Sequence, residues 1–520
     1  MSARPHLLDS IERLFTHPLF APLITFGCGS LAALSMAPLN AWPVLFVSIP
    51  ALYMAVFYTA SGKGAFLRGW LFGFGYFLFS LSWVGNALLV EGSPYQWAWP
   101  LAVSGLPALL AFFPAFAVLL SKKFLNLRSV PGWLGFISFY CAFEWLRGHI
   151  FTGFPWNLPG YTWADLPVVF QVLRLSDVYM LTWLTLLWAS VPACFLLFNT
   201  RQKAACTAVG GFSFIVCFAF GFWQLQGVPT YHEDLVIKLV QPNIAQAEKW
   251  RGDQMFGHFR KTLALSENTE GQNKTTLIIW PETALSYRIF NAPGAAEELR
   301  SVLRSYPPSS ALLTGMLRFD AARGAYYNSL VMIGDNAELF NIYDKHHLVP
   351  FGEYIPFQQW IPLAPVVQFK GFETGAGLKT MEAPSGVKYS PLICYEIVFP
   401  GRSMEQGAAP DFIVNVTNDA WYGKSAGPYQ HLTQALYRAV ETGTPVIRAA
   451  NTGFSAIISP YGRIEGKTEL FKADSPTLEL PQAKPIPDML QRLKYRLIPA
   501  FFMLFIFAGA FSTRRFANAD

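Results

Sequence analysis

Of the six cysteines, Cys28, Cys141, Cys194, Cys206 and Cys217 lie in or beside strongly apolar runs, and only Cys394 belongs to a polar stretch. That stretch holds no second cysteine, so a disulfide within it is impossible and the Cys394 thiol is free for chemistry. Cys394 closes the apolar run LICYE, which reads as a strand end. There the thiol meets a sheet edge, and the backbone N–H groups that follow can face a substrate oxygen. An ordinary thiol, with a pKa of about 8.5, is mostly protonated at neutral pH and needs a base nearby. Glu282 in WPET is the candidate base, since it also follows a strand-like run, LIIW, and Pro281 disfavours helix at Trp280. Lys345 in YDKHHLVPFGEY offers an ammonium to a developing oxyanion, a contribution of about 3 kcal/mol for one donor in a comparable site. His346 and His347 beside it suggest a metal or a Cys/His pair instead, but no acidic or cysteine ligand spacing supports them. Taken singly, a Glu at a strand end or a Lys in a loop is an ordinary surface charge. Together the three residues have the types that nucleophilic acyl transfer through a thiol requires.

Short runs rich in Val and Ile, closed by Gly, Pro, Asn or Asp, position them: LVIKLVQPN from Leu235, TLIIWPE from Thr276, ALLTGML from Ala311, YYNSLVMIG from Tyr326, YSPLICYE from Tyr389, DFIVNVTND from Asp411 and PVIRAANTG from Pro445. These predict buried strands. Helical patterns alternate with them, AAEELRSVLRSY from Ala295 and YQHLTQALYRAVETG from Tyr429, the latter ending on Gly443. The polar region is therefore α and β in alternation. One stretch, Pro350 to Phe372, carries several aromatics and prolines without periodicity, and reads either as a covered loop or as a lid dipping into a membrane interface.

The rest of the chain is of another kind. Overall 52% of residues are apolar and only 14% charged, with a mean hydropathy of +0.30, more than a globular domain needs. Seven apolar runs, at 19–37, 42–60, 69–89, 98–120, 131–147, 178–198 and 205–225, precede the polar region and an eighth follows at 495–512. Each is near the roughly 20 residues of a membrane-crossing helix. The expected layout is a membrane domain at 1–226, a catalytic domain at 227–494, and an eighth span with its tail at 495–520. Arg4, Arg13, Lys63, Arg68, Lys122, Lys123, Arg128, Arg201, Lys203, Arg514 and Arg515 fall in one set of loops and tails, while loops 38–41 and 90–97 have no Lys or Arg. The positive-inside rule then places the termini in the cytoplasm and the polar domain outside the cytoplasmic membrane, which in a Gram-negative cell is the periplasm. Glu144 and Arg147, three apart at the outer end of the fifth run, are expected either as a structural ion pair or as a contact to a lipid headgroup. No Lys/Arg block suggests nucleic acid.

The order WPET at 280–283, YDKHHLVPFGEY at 343–354 and CYE at 394–396 resembles the Glu, Lys, Cys triad of the nitrilase superfamily. With EWLRG at 144–148, FTGFPW at 151–156, NDAWYG at 418–423 and the flanking spans, the whole chain resembles the apolipoprotein N-acyltransferase family. The resemblance implies a nitrilase-like αββα domain on a bundle of about eight membrane helices. It implies transfer of an acyl chain from a phospholipid, typically phosphatidylethanolamine, through a Cys394 thioester to the N-terminal amine of a diacylglyceryl-cysteine lipoprotein, with neither metal nor other cofactor. It carries over Glu353 as a carboxylate holding Lys345, Tyr395 as a source of an oxyanion-hole N–H, and Glu396 as support. With less weight it carries over Trp250, after QPNIAQAEK, and Asn328 as substrate contacts. A monomer is expected. The same triad also suits a membrane-tethered amidase in which water resolves the acyl-enzyme, although a soluble amide hydrolase would need one anchor rather than a bundle. A transporter with an outer domain would show more charges within the spans.

Overall fold

The computed structural model describes residues 6–91, 95–249, 251–356 and 371–517. Every apolar run expected as a strand forms one. The first sheet is built from β1 (Tyr231–Leu239), β2 (Thr275–Ile279), β3 (Leu285–Ser286), β4 (Ala311–Asp320), β5 (Ala325–Ile333) and β6 (Leu339–Asp344). The second contains β7 (Met381–Glu382), β8 (Lys388–Ile393), β9 (Phe412–Thr417), β10 (Val446–Ala450), β11 (Ala456–Ile458) and β12 (Ile464–Lys467). The last strand, β13 (Thr477–Pro481), returns to the first sheet, giving the order β13-β1-β2-β4-β5-β6 with β3 beside β4. The second runs β12-β11-β10-β9-β8-β7. β1, β2 and β4 are mutually parallel in one sheet and β8, β9 and β10 in the other.

Alternation along the strands decides the layers. Leu277 and Ile279 of β2 and Leu313 of β4 share one core with Val414 and Val416 of β9 and Ile447 of β10, so the sheets pack face to face. Their neighbours Ile278 and Leu312 point the other way, onto helices Met255–Leu265 and Ala295–Leu303 through Phe259, Leu263, Leu299 and Leu303. Ile413 and Val446 likewise face outward from the second sheet, onto Leu432, Ala435 and Ala439 of helix Gly427–Thr442. A period of two thus splits each strand between two cores and yields an α-β-β-α sandwich. The last of these cores is continuous with the helical half, since it also takes in Trp156, Tyr161, Phe170 and Leu181.

In the helical half every expected apolar run is helical in large part, but fewer single helices than runs have the length and apolarity to cross a bilayer. Four among the described residues do, Gln96–Phe124, Val178–Leu197, Thr200–Leu225 and Asp488–Thr513, or up to six if two bent pairs each count as one span. One bend, 47° after Ser80, breaks the run at 69–89, and another, 95° after Thr16, lies just ahead of the first run. Trp42–Tyr58 is shorter, and Val130–Arg147, which carries Glu144 and Arg147, is not among them. Phe212, Ile215, Phe222 and Trp223 on one of these helices and Leu504, Phe507 and Phe511 on another are exposed, the outward apolar surface expected of helices whose solvent is lipid.

Candidate active site

Glu282, Lys345 and Cys394 come from three different connections that meet between the sheets. Glu282 leaves β2 over the backbone of β4, so closely that a Cβ on Gly315 would lie 2.5 Å from the Glu282 Cα. Only glycine leaves room for that crossing. The carboxylate is held on both oxygens: Asn328 Nδ2 of β5 donates to Oε1 at 2.8 Å, and the Asn418 backbone N–H, beyond β9, to Oε2 at 2.9 Å. Lys249 Nζ donates to the Glu282 carbonyl at 2.8 Å. Burial lowers the Lys249 pKa to about 8, against the opposing charges of Glu282 and Cys394.

Lys345 directly follows β6 and is 1% exposed. Its Nζ lies 2.8 Å from Glu353 Oε2 and 3.7 Å from Glu282 Oε1. Burial works against this ammonium, yet the Glu353 and Glu282 carboxylates outweigh it and raise its pKa above the ordinary value. Glu353 also accepts from Asn328 Nδ2 at 2.9 Å and from the Val349 N–H at 2.8 Å. Asn328 therefore bridges the two carboxylates, and both sit on one ammonium. Of the expected residues, the structure brings Glu282, Lys345, Glu353 and Asn328 into one hydrogen-bonded group.

Cys394 ends β8 with φ of +52°, a left-handed conformation that a side chain with a Cβ disfavours. Its carbonyl accepts from His431 Nε2 at 3.2 Å and from Asn415 Nδ2 at 3.3 Å. Behind it Arg448 of β10 bonds Asn415 and pairs with Asp419 at 2.8 Å, and His431 Nδ1 lies 2.9 Å from an Arg448 nitrogen. All four residues are fully buried. Burial would raise Asp419, but Arg448 and His431 hold it down at about 2; burial lowers His431, which Arg448 reinforces. A neutral His431 that donates from Nε2 to Cys394 accepts from Arg448 at Nδ1, which also lies 3.0 Å from Asp419 Oδ1. The thiol itself is pushed up to about 12, first by burial and then by the Glu282 charge, against the pull of Lys345 and a hydrogen bond with Thr417. At neutral pH Cys394 rests as a thiol, not a thiolate.

Glu396 is a clamp. Its Oε2 accepts from the Ile393 N–H at 2.7 Å and its Oε1 from Tyr343 Oη and the His346 and His347 N–H groups at 2.9–3.1 Å. It ties the end of β8 to the segment after Lys345, and it occupies His346, whose Nδ1 lies 2.6 Å from it. Tyr395 reaches across to the helical half, its Oη donating to the Gly153 carbonyl at 3.0 Å and its ring stacking at 6.4 Å on Trp156. Glu144 and Arg147 form an ion pair that is 2% and 1% exposed, and Arg147 also donates to the Phe154 and Trp156 carbonyls. They lie behind the 151–156 loop that touches Tyr395. Trp250 and residues 357–370 of the expected lid lie outside the described residues.

Sequence reasoning missed Lys249, Asn415, Asp419, His431 and Arg448. A signal existed for one: Arg448 interrupts the apolar run PVIRAA, and a charge in a buried strand demands a buried partner. Nothing local in YQHLTQ points His431 at a residue 37 positions away.

Two family models match. Residues 28–191 match the apolipoprotein N-acyltransferase N-terminal domain and residues 239–477 the carbon-nitrogen hydrolase model. Apolipoprotein N-acyltransferase of Brucella melitensis biotype 1 is 39% identical over 472 residues, covering 86% of this chain and 87% of the relative. That of Rhodopseudomonas palustris is 37% identical over 467 residues, covering 85% and 86%. Among solved structures, a CN-hydrolase superfamily protein from Xanthomonas campestris is 19% identical with a TM-score of 0.36, covering 51% of this chain and 97% of its own.

Proposed function

The chain belongs to the apolipoprotein N-acyltransferase family, and on that premise we propose how its residues divide the work of lipoprotein N-acylation. It is an acyltransferase. The observation that carries the residue assignment is the bonded group Glu282–Asn328–Glu353–Lys345 set against a buried Cys394 whose backbone is fixed from behind.

Glu282 takes the proton of the Cys394 thiol as sulfur attacks the sn-1 ester carbonyl of a phospholipid, phosphatidylethanolamine in the first instance. Because the thiol sits at about 12, proton transfer accompanies attack rather than preceding it. The Lys345 ammonium, oriented by Glu353, and the Tyr395 backbone N–H stabilise the oxyanion. Collapse breaks the ester C–O bond, Glu282 returns the proton to the departing lysophospholipid oxygen, and a thioester remains. The lipoprotein α-amine then attacks, Glu282 takes its proton and passes it to the Cys394 sulfur as the C–S bond breaks, giving the amide, the free thiol and the Glu282 carboxylate. Glu396 holds the strand end. Glu144 and Arg147 hold the 151–156 loop rather than a headgroup. The eight helical segments act as a bilayer-embedded bundle, with residues 227–494 on the periplasmic side of the inner membrane and the chain acting as a monomer.

Initial rates with phospholipid and a synthetic diacylglyceryl lipopeptide test this. Parallel double-reciprocal lines are expected, as a ping-pong mechanism requires. Free fatty acid released at one rate with or without lipopeptide would favour the membrane-tethered amidase reading, and intersecting lines would remove the acyl-enzyme.

A further inference from the structure

Apart from the group around Cys394, a second polar cavity lies where the two halves join. It has a volume of about 180 Å³ and is lined by Arg402, Arg492, Arg496, His149, Tyr179 and Asp177, among others. It holds several waters' worth of space, enough for a phosphate group.

The lining is strongly cationic. Arg492 is already paired with Asp488 at 2.7 Å, but Arg402 and Arg496 have no carboxylate partner among the described residues. Asp177 is the one acid in the lining, and its Oδ1 is occupied by the Tyr179 and Met180 N–H groups at 2.8 and 3.0 Å. Tyr179 is 2% exposed, and its buried hydroxyl has no hydrogen-bond partner. That hydroxyl packs against Gly148, where a Cβ would collide with it, so it does not supply the cavity's polar lining. The walls are fixed rather than floppy: Glu441, fully buried, accepts from the Gly401 N–H at 2.8 Å and from Tyr495 Oη at 2.6 Å. Guanidinium forks match the oxygens of a phosphate.

Position selects the source of that phosphate. Val178–Leu197 begins at this cavity, Arg492 and Arg496 stand one turn apart on the first turns of Asp488–Thr513, and helix Val130–Arg147 ends two residues before His149. Where apolar helices end is where the headgroups of a bilayer lie.

We propose that this cavity binds the phosphodiester headgroup of a membrane phospholipid, with Arg402 and Arg496 as the principal contacts. The proposal rests on the reading that the helices cross a bilayer. It places headgroup recognition on residues that follow Cys394 through Phe399 to Arg402, not on Glu144 and Arg147. A headgroup held there lies on the face of the protein where the acyl donor must arrive.

The test uses full-length Cys394→Ala protein in detergent and an ether-linked phosphatidylglycerol, which has no acyl ester to transfer, with native mass spectrometry counting bound lipid. One tightly held lipid per chain is expected, weakened at least tenfold in Arg402→Gln/Arg496→Gln and less in Arg402→Lys/Arg496→Lys. Equal binding by the Gln pair, at an unchanged unfolding midpoint, overturns the proposal. Displacement of the lipid by millimolar inorganic phosphate assigns the cavity to free phosphate and overturns the lipid source. The acyl adduct on wild-type Cys394 is scored separately, so loss of that adduct breaks the transfer mechanism while leaving this result standing.

Discussion

The two sheets serve the site by opposite means. The first sheet contributes charges, Glu282, Lys345 and Glu353, each held by side-chain hydrogen bonds among themselves and to Asn328. The second contributes Cys394, the proposed nucleophile, with an unfavourable backbone conformation, and its own charges, Asp419 and Arg448, fix the Cys394 carbonyl through His431 and Asn415. One half arranges electrostatics for the transition state and the other arranges geometry. Substitutions in the first should therefore show first in rate, beyond what they cost in stability, and those in the second should cost stability first.

Breaking the first half gives the largest rate effects. Lys345→Met removes the ammonium and leaves two buried carboxylates unbalanced; acylation of Cys394 should fall by about 10³-fold, the range for loss of an oxyanion donor, measured as single-turnover thioester formation. Glu353→Gln keeps the shape but loosens Lys345, and a smaller loss, about 10²-fold, is expected in the same assay. In the second half, Asp419→Asn leaves Arg448 without its charge partner and should destabilise the fold by about 3–5 kcal/mol, read from denaturant unfolding. His431→Leu should slow acylation by about tenfold, and His431→Gln, whose amide can still donate to the Cys394 carbonyl, should recover most of it. A purely structural role for His431 would show as equal unfolding losses in both variants with no recovery of rate.

Smaller effects sharpen the comparison through pH. With its thiol at about 12, Cys394 in substrate-free enzyme should react with iodoacetamide at a rate that climbs about tenfold per pH unit from 7 to 10; a plateau near pH 8 contradicts the charge balance described for the site. Lys249 titrates at about 8 in the fold against an ordinary 10.5. Below pH 8 both folded and unfolded chains hold the proton and the burial cost is present in full. Between about 8 and 10.5 only the unfolded chain holds it, so the stability attributable to this residue rises with pH across that window. The unfolding midpoint of wild type should therefore gain on that of Lys249→Met as pH is raised from 8 to 10.

The strands and the placing of Glu282, Lys345 and Cys394 at their ends were legible because they depend on local pattern. β2, β4, β8 and β9 are continuous apolar runs closed by turn residues, and Glu282, Lys345 and Cys394 stand at the ends of such runs. Short antiparallel edges such as β7 and β12 carry no such signal, and neither does β13, whose place beside β1 is fixed by contacts across more than 200 residues. Hydropathy found the helical segments but not the bends after Thr16 and Ser80, which packing decides. The buttress behind Cys394 escaped for the same reason, since His431, Asp419 and Arg448 acquire meaning only when three elements meet.

The most direct measurement is the intact mass of purified protein after incubation with phospholipid alone, followed by peptide mapping. One fatty-acyl increment, confined to the peptide that contains Cys394, labile to hydroxylamine at neutral pH and absent from Cys394→Ser under those conditions, is the predicted result. An acyl group mapped to any other residue, or N-acylated lipopeptide formed by Cys394→Ala, would contradict the account.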